Sequence, residues 1–230
     1  MDTKKKCDLI CSLGGNCAAA HNLRYRNMRN FALPFDWCFI QTTKALERLC
    51  DGFQNGFKDF CLKENLVQVE SNKAHSIIFK DSYSEYFFPN HFSSTDLNQE
   101  YDIFYKKFKR RVKRLISQIE ESENILFLFS SILNIEKDYF LRLEKVLKNL
   151  YPEKNFEFRV MLFKQNEDKE EIMGNIHYIY YLRDFNLYDY TKTNFEWAFL
   201  DSINLNKKRK RTKMSFSLFN HKIEIKWKRK

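Results

Sequence analysis

The chain has 230 residues, enough for one domain with a buried core, and its 43% hydrophobic content includes 23 Phe and 12 Tyr. Only 5 Gly and 3 Pro exclude a linker-rich or low-complexity protein. Lys and Arg outnumber Asp and Glu by 40 to 30, a net charge of +10 that admits an anionic partner.

No stretch reaches the roughly 18 uninterrupted apolar residues that span a bilayer. The short apolar run Cys7–Leu13, broken by Asp8, does not make a signal-peptide core, so a cytoplasmic location is the default expectation. Cysteines 7, 11, 17, 38, 50 and 61 are expected as reduced thiols in a chain of this size. They form no Cys-x-x-Cys pair and match no common zinc knuckle, so neither a metal nor a cofactor is expected.

In chain order, Asp8–Leu13 reads as a short strand that runs into Gly14-Gly15, and Ala18–Leu23 as the helix after that turn. Residues 42–62 look helical, with Leu46, Leu49, Cys50 and Phe53 on one side, and Ile77–Phe79 and Tyr86–Phe88 are short strands or ordered loop. Ile103, Phe104, Phe108, Val112, Leu115, Ile116 and Ile119 form one apolar helical stripe, and Lys106, Lys107, Lys109, Arg110, Arg111, Lys113 and Arg114 mostly occupy the other face. The plain expectation for those cations is a solvated face. The functional one is an anion-binding surface that includes Arg24, Arg110, Arg111 and Arg114.

Ile125–Phe129 and Phe158–Phe163 are apolar enough for buried strands, and Lys137–Leu150 between them is an amphipathic helix. That is a βαβ unit, hence a parallel sheet with a right-handed crossover. Ile176–Tyr181 adds a strand and Phe195–Ile203 a closing helix. From Lys207 to Lys230 eleven Lys/Arg face one acid, Glu224. Met214, Phe216 and Leu218 alternate with polar residues, as do Ile223, Ile225 and Trp227. A turn at Asn220-His221 pairs Leu218 with Ile223, Phe216 with Ile225 and Met214 with Trp227, a hairpin over 213–228 packed on the domain by one face. The expected architecture is a three-layer α/β domain over residues 1–205 with a mostly parallel sheet, followed by a basic connector and β-hairpin appendage over 206–230.

A parallel sheet binds ligands at the carboxyl ends of its strands, where Cys11-Ser12-Leu13-Gly14-Gly15-Asn16-Cys17 falls. Gly14, Gly15 and Asn16 would bring amide N–H groups towards an oxyanion or phosphate, and a thiol in the first turn of a helix gains a stabilised thiolate. Cys17 holds that position, whereas the other five cysteines read as core fillers. Pro34-Phe35-Asp36-Trp37 reads as a rigid turn with two core aromatics and Asp36 capping the next element. His91, among Phe87, Phe88 and Phe92, reads equally well as a satisfied half-buried histidine, and His21, His75, His177 and His221 read as structural.

Ser12-Leu-Gly-Gly-Asn-Cys17, with Pro34-Phe35-Asp36-Trp37, the histidine of Phe87-Phe88-Pro89-Asn90-His91-Phe92 and the basic helix Lys106–Arg114, resembles a bacterial family of unknown function described as papain-like cysteine peptidases. The resemblance runs over roughly residues 8–165. It implies Cys17 as nucleophile, His91 as general base, Asp36 or Asp81 as the group that orients the imidazole, and Asn16 or backbone amides near Cys17 as an oxyanion hole. It also implies a cysteine on a long helix and a histidine on an antiparallel sheet, whereas the residues after 120 read as a parallel sheet.

A thiol-dependent hydrolase or acyl transferase is therefore the first expectation, acting on a small-molecule, peptide or glycan-derived substrate. The second moves the nucleophile to Ser12, as in serine-type acyl- or sugar-modifying enzymes of surface-polysaccharide synthesis. The third is a non-catalytic module in which Gly14–Cys17 cradles a phosphate and the basic helix and tail hold an anionic partner. The sequence does not give an oligomeric state.

Overall fold

The computed structural model describes residues 5–70, 76–183, 196–206, 213–218 and 221–226, the last two spans as backbone. A short β1 (Lys5–Cys7) precedes β2 (Leu9–Ser12) and α1 (Ala18–Tyr25). β3 (Phe39–Ile40), α2 (Lys44–Asn55), β4 (Leu66–Val69), β5 (Ile78–Asp81) and β6 (Tyr86–Pro89) follow, then the long α3 (Leu97–Glu121). β7 (Asn124–Ser131), α4 (Asp138–Leu150), β8 (Asn155–Leu162), β9 (Lys169–Met173) and β10 (Ile176–Tyr180) complete the central part. β11 (Ile203–Leu205), β12 (Lys213–Leu218) and β13 (His221–Lys226) close the described chain.

The main sheet has the order β2-β7-β8-β10-β9. Its first four strands run parallel, with Cys11 opposite Phe127 and Phe127 opposite Phe158, and β9 is an antiparallel edge. β7, Asn-Ile-Leu-Phe-Leu-Phe-Ser-Ser, is almost wholly buried because both faces of the sheet are covered. Ile125, Phe127 and Phe129 join one core with Phe156, Phe158 and residues of α2, α3 and α4. Leu126 and Leu128 join the other with Ala18, Ala19 and Leu23 of α1, Met161 and Trp197. Helices on both faces of a mostly parallel sheet make the fold a three-layer α/β structure.

The sequence did not resolve a second, four-stranded antiparallel sheet, β3-β6-β5-β4, inserted between α1 and α3. Phe35, Phe57, Phe60, Tyr86, Phe88, Phe104 and Phe108 weld it to α3 in one chain of ring contacts with centroids 5.0–6.5 Å apart. Each such ring, fully buried, stabilises by about 1.5–3 kcal/mol against exposure. This cluster fixes β6, and the residues just after it, against the N-terminal turn.

Several boundaries differ from expectation. The helix expected over 42–62 stops at Asn55, because Gly56 adopts φ 67° and caps it in the left-handed conformation. Instead of a closing helix, 196–205 holds a single 3-10 turn, Ala198–Ser202, and then β11, which pairs in parallel with β1. β12 and β13 pair Phe216 with Ile223, Met214 with Ile225 and Leu218 with His221. The register is thus two residues from the expected one, a shift that preserves the alternation of apolar and polar positions. Trp227 lies outside the described residues. Among those residues no helix is long and apolar enough to cross a membrane.

Candidate functional site

β2 ends at Ser12, whose Oγ accepts the Gly14 N–H at 3.2 Å. Gly14 and Gly15 both need positive φ, 84° and 83°, and neither tolerates a side chain. A Cβ on Gly14 would lie 2.8 Å from the Tyr86 ring, and one on Gly15 would lie 2.3 Å from the Ser130 carbonyl oxygen. Asn16 is buried, and its Oδ1 accepts from the Ala18 N–H at 2.9 Å and from the Ser130 hydroxyl. It is therefore the side chain that caps α1, and it ties that cap to β7. Gly14, Gly15 and Asn16 are spent on bracing the turn. They do not line the pocket described next.

The turn delivers Cys17 to the start of α1, and Cys17 is the one cysteine of the six that is not buried. It opens on a cavity of about 360 Å³ lined also by Arg24, Trp37, Pro89, Asn90, His91, Lys107 and Arg111. Two bonds bring the halves of this pocket together: the Tyr86 hydroxyl donates to the Leu13 carbonyl at 2.8 Å, and the Ile40 N–H to the Gly15 carbonyl at 3.3 Å. His91 follows β6, so the histidine stands at the end of an antiparallel strand, as the family resemblance implies. Its ring lies edge-on between Phe88 and Phe104, with centroids at 5.5 and 5.9 Å.

His91 Nε2 meets the Trp37 carbonyl oxygen at 3.2 Å. Burial, then the Arg111 and Lys107 cations, hold the imidazole down to about 4. Burial, then the Asp36 carboxylate, push the Cys17 thiol up to about 11. Contrary to expectation, the helix start does not yield a stabilised thiolate, because desolvation opposes the charged form and Asp36 adds a second negative charge nearby. With the thiol raised and the imidazole lowered, the proton stays on sulfur and the pocket holds a neutral thiol and a neutral imidazole.

Neither candidate aspartate lines the pocket. Asp36 accepts from the Leu33 N–H at 2.8 Å and from Arg29 Nε at 2.9 Å, so it clamps the segment before it instead of capping the next element. Phe35 is core, while Trp37 is half-buried under the Arg29 guanidinium. Asp81 is wholly buried and accepts from the Cys61 and Tyr83 N–H groups and the Ser84 hydroxyl. Ser12 is buried at the strand end and is absent from the pocket lining.

The basic face of α3 is divided. Lys106, Lys109, Arg110 and Lys113 are exposed, as a solvated face would be. Lys107, Arg111 and Arg114 are half-buried one helical step beside the apolar stripe. Arg114 Nη1 donates to the Ala32 carbonyl at 2.9 Å and stacks over Phe31. Lys107 and Arg111 face the pocket. Lys107, like Trp37, Pro89 and Asn90, lines the pocket without having been a candidate site residue, although it belonged to the basic cluster. Its spacing of four from Arg111 and of three from Phe104 marked it as a flank of the buried stripe.

A larger cavity of about 710 Å³ is lined by Leu9, Ile10, Met28, Phe31 and, among others, Arg29 and Asp36. It carries no cysteine, serine or histidine. Among the described residues no group of three His, Cys, Asp or Glu could hold a metal ion.

The molecule is thus an α/β protein whose inserted antiparallel sheet sets a histidine across one small basic pocket from a cysteine at a helix start. It belongs to the family described as putative papain-like cysteine peptidase (DUF1796), whose model matches residues 8–168 and so contains every residue lining that pocket. No curated protein and no solved structure matches the chain.

Proposed function

We propose that the pocket performs thiol-dependent acyl chemistry, as a hydrolase or acyl transferase, with Cys17 as nucleophile and His91 as general base. The observation that supports this is that the single unburied cysteine lines the same pocket as a histidine whose Nε2 is engaged by a carbonyl. A carbonyl only accepts, so Nε2 bears the proton and Nδ1 keeps the lone pair that a base needs. The orienting role then falls to the Trp37 main chain, not to Asp36 or Asp81.

In the proposed step the Cys17 sulfur attacks the substrate carbonyl carbon as its proton passes to His91 Nδ1, and the C–O π pair moves onto the oxygen. Collapse expels the leaving group, which takes the proton from His91. Water or another acceptor then releases the acyl group from sulfur. The Ala18 N–H is held by Asn16 Oδ1, so the donors for the oxyanion are the other amides at the start of α1, beginning with that of Cys17. The substrate is a small molecule, a peptide or a glycan-derived group. Family membership agrees with this chemistry without specifying it.

The test is to incubate the full chain with an activated ester, a thioester and a peptide amide, and to trap the acylated protein for peptide mapping. The expected result is one acyl group on Cys17, absent in Cys17→Ala and reduced at least tenfold in His91→Ala. Acylation of Ser12, or an equal spread over surface lysines, overturns the proposal.

A further inference from the structure

Arg24 of α1 and Lys107 and Arg111 of α3 line the same pocket as Cys17 and His91. Lys107 and Arg111 are half-buried, yet among the described residues none of the three side chains makes a hydrogen bond or an ion pair. The carboxylate that acts on Arg111 is Asp36, and that group is already spent on Arg29 and the Leu33 N–H. Glu100, which acts on Lys107, is bonded to Ser93. Taking cations out of water without a partner is costly, and burial depresses both Lys107 and Arg111 from their ordinary values. Three other cations have carboxylate partners: Arg26 has Asp201, Arg29 has Asp36, and Lys80 has Glu85.

We infer that the pocket takes an acyl substrate carrying its own anionic group, a phosphate or carboxylate, held by Arg24, Lys107 and Arg111 beside the Cys17 sulfur. Arg111 supplies a fork that matches an oxyanion, and Lys107 supplies a point charge one turn earlier on the same helix. The same anion activates the pair. Burial, and after it the Arg111 and Lys107 cations, hold the imidazole neutral; the anion offsets those cations, so its arrival raises the basicity of His91 when the carbonyl carbon is in place. This rests on the thiol-enzyme proposal for the chemistry, but the anion site stands on the geometry alone.

Two alkylating probes of one chemistry and different charge test it: iodoacetate, an anion, and iodoacetamide, which is neutral. Each displaces iodide on attack by the Cys17 thiolate, and the ratio of the two rates cancels any change in thiolate fraction. In the native full chain at low salt and pH 8.5, iodoacetate is expected to outpace iodoacetamide at Cys17, reversing the order expected at Cys17 in the urea-denatured chain. Arg111→Met should lower the ratio roughly tenfold, the lower end of what local fields do to charged encounters, and Arg111→Lys should largely retain it. Inorganic phosphate and succinate are the competitors, and stronger protection by one assigns the phosphoryl or the carboxylate form. A native ratio equal to the denatured one, with no protection by either competitor, overturns the inference. Failure to acylate Cys17 while the iodoacetate preference persists instead removes the thiol-enzyme proposal and leaves an anion site.

Discussion

The main-chain carbonyl of Trp37 accepts a hydrogen bond from His91 Nε2 at 3.2 Å, joining the Pro34–Trp37 turn to the end of the antiparallel sheet. That one bond fixes the tautomer and leaves Nδ1 free. A backbone carbonyl carries no charge, so it orients the ring and raises its basicity less than a carboxylate would, too little to offset burial and the nearby cations. The buried imidazole accordingly lies at about 4 and the thiol at about 11.

The first prediction concerns the resting state. Below its pKa a thiol gains thiolate tenfold per pH unit, so iodoacetamide labelling of Cys17 should climb roughly tenfold per unit from pH 7 to 10. Peptide-resolved mass spectrometry gives the rate. A plateau reached by pH 7 would show a preformed ion pair and contradict the electrostatics of the pocket.

A second prediction follows from His91. Its folded value of about 4 lies below the ordinary 6.5, so between them the unfolded chain binds the extra proton. Stability from keeping the ring neutral is complete above 6.5 and is lost as pH falls towards 4, to a total of about 3 kcal/mol. Asp36 and Asp81, which burial pushes up, act in the opposite direction in acid. The measurement is therefore a difference: urea melts at pH 7 and pH 4.5 should separate wild type and His91→Gln, with the variant losing less. Equal losses would mean that His91 protonates freely in the folded chain.

How much of this was legible depends on what kind of atom carries the information. β7, β8 and α4 were readable because long apolar runs and a helical stripe repeat over eight or more residues. Phe39–Ile40 is a two-residue strand, too short for any period, so the antiparallel sheet stayed hidden although its aromatic residues were plain. Cys17 and His91 could be named from motif and position. Trp37 was seen as a core aromatic, because a role played by a main-chain carbonyl leaves no trace in residue type. Asp36 looked catalytic for the same reason that it is structural: a carboxylate in a tight turn finds the nearest N–H groups and guanidinium.

Gly15 offers a stability test of the turn. Gly15→Ala combines positive φ with a Cβ 2.3 Å from the Ser130 carbonyl oxygen, while Gly56→Ala has positive φ and open space. Backbone strain alone costs about 1 kcal/mol or somewhat more, and an unrelieved clash adds roughly 1–3. Chemical denaturation should show Gly15→Ala losing at least about 2 kcal/mol more than Gly56→Ala. Similar losses would mean that the Ser130 strand yields easily.

Ser12→Ala separates the two nucleophiles. The hydroxyl accepts one N–H, from Gly14, so its loss should cost about 1 kcal/mol and leave acylation of Cys17 within twofold of wild type. A collapse of acylation with a normal denaturation midpoint would return Ser12 to the chemistry.

Asp36→Asn tests whether the clamp of the turn also governs the thiol. Asp36 is 3% exposed and its Arg29 partner 19%, and the pair also holds the Leu33 N–H. Asparagine keeps one acceptor but leaves Arg29 half-buried without a counter-charge. Because Arg29 can still reach water, the loss should fall at about 2–3 kcal/mol, below that for a fully buried pair. Removing the carboxylate also removes the second cause, after burial, of the raised Cys17 value. Cys17 should therefore label several-fold faster at pH 8 although the protein is less stable. Local opening would speed labelling too, and buried Cys38 and Cys61 report on that: both should stay unreactive in the variant. If all three cysteines speed up together, the effect is unfolding, and Asp36 then acts on Cys17 only through the fold.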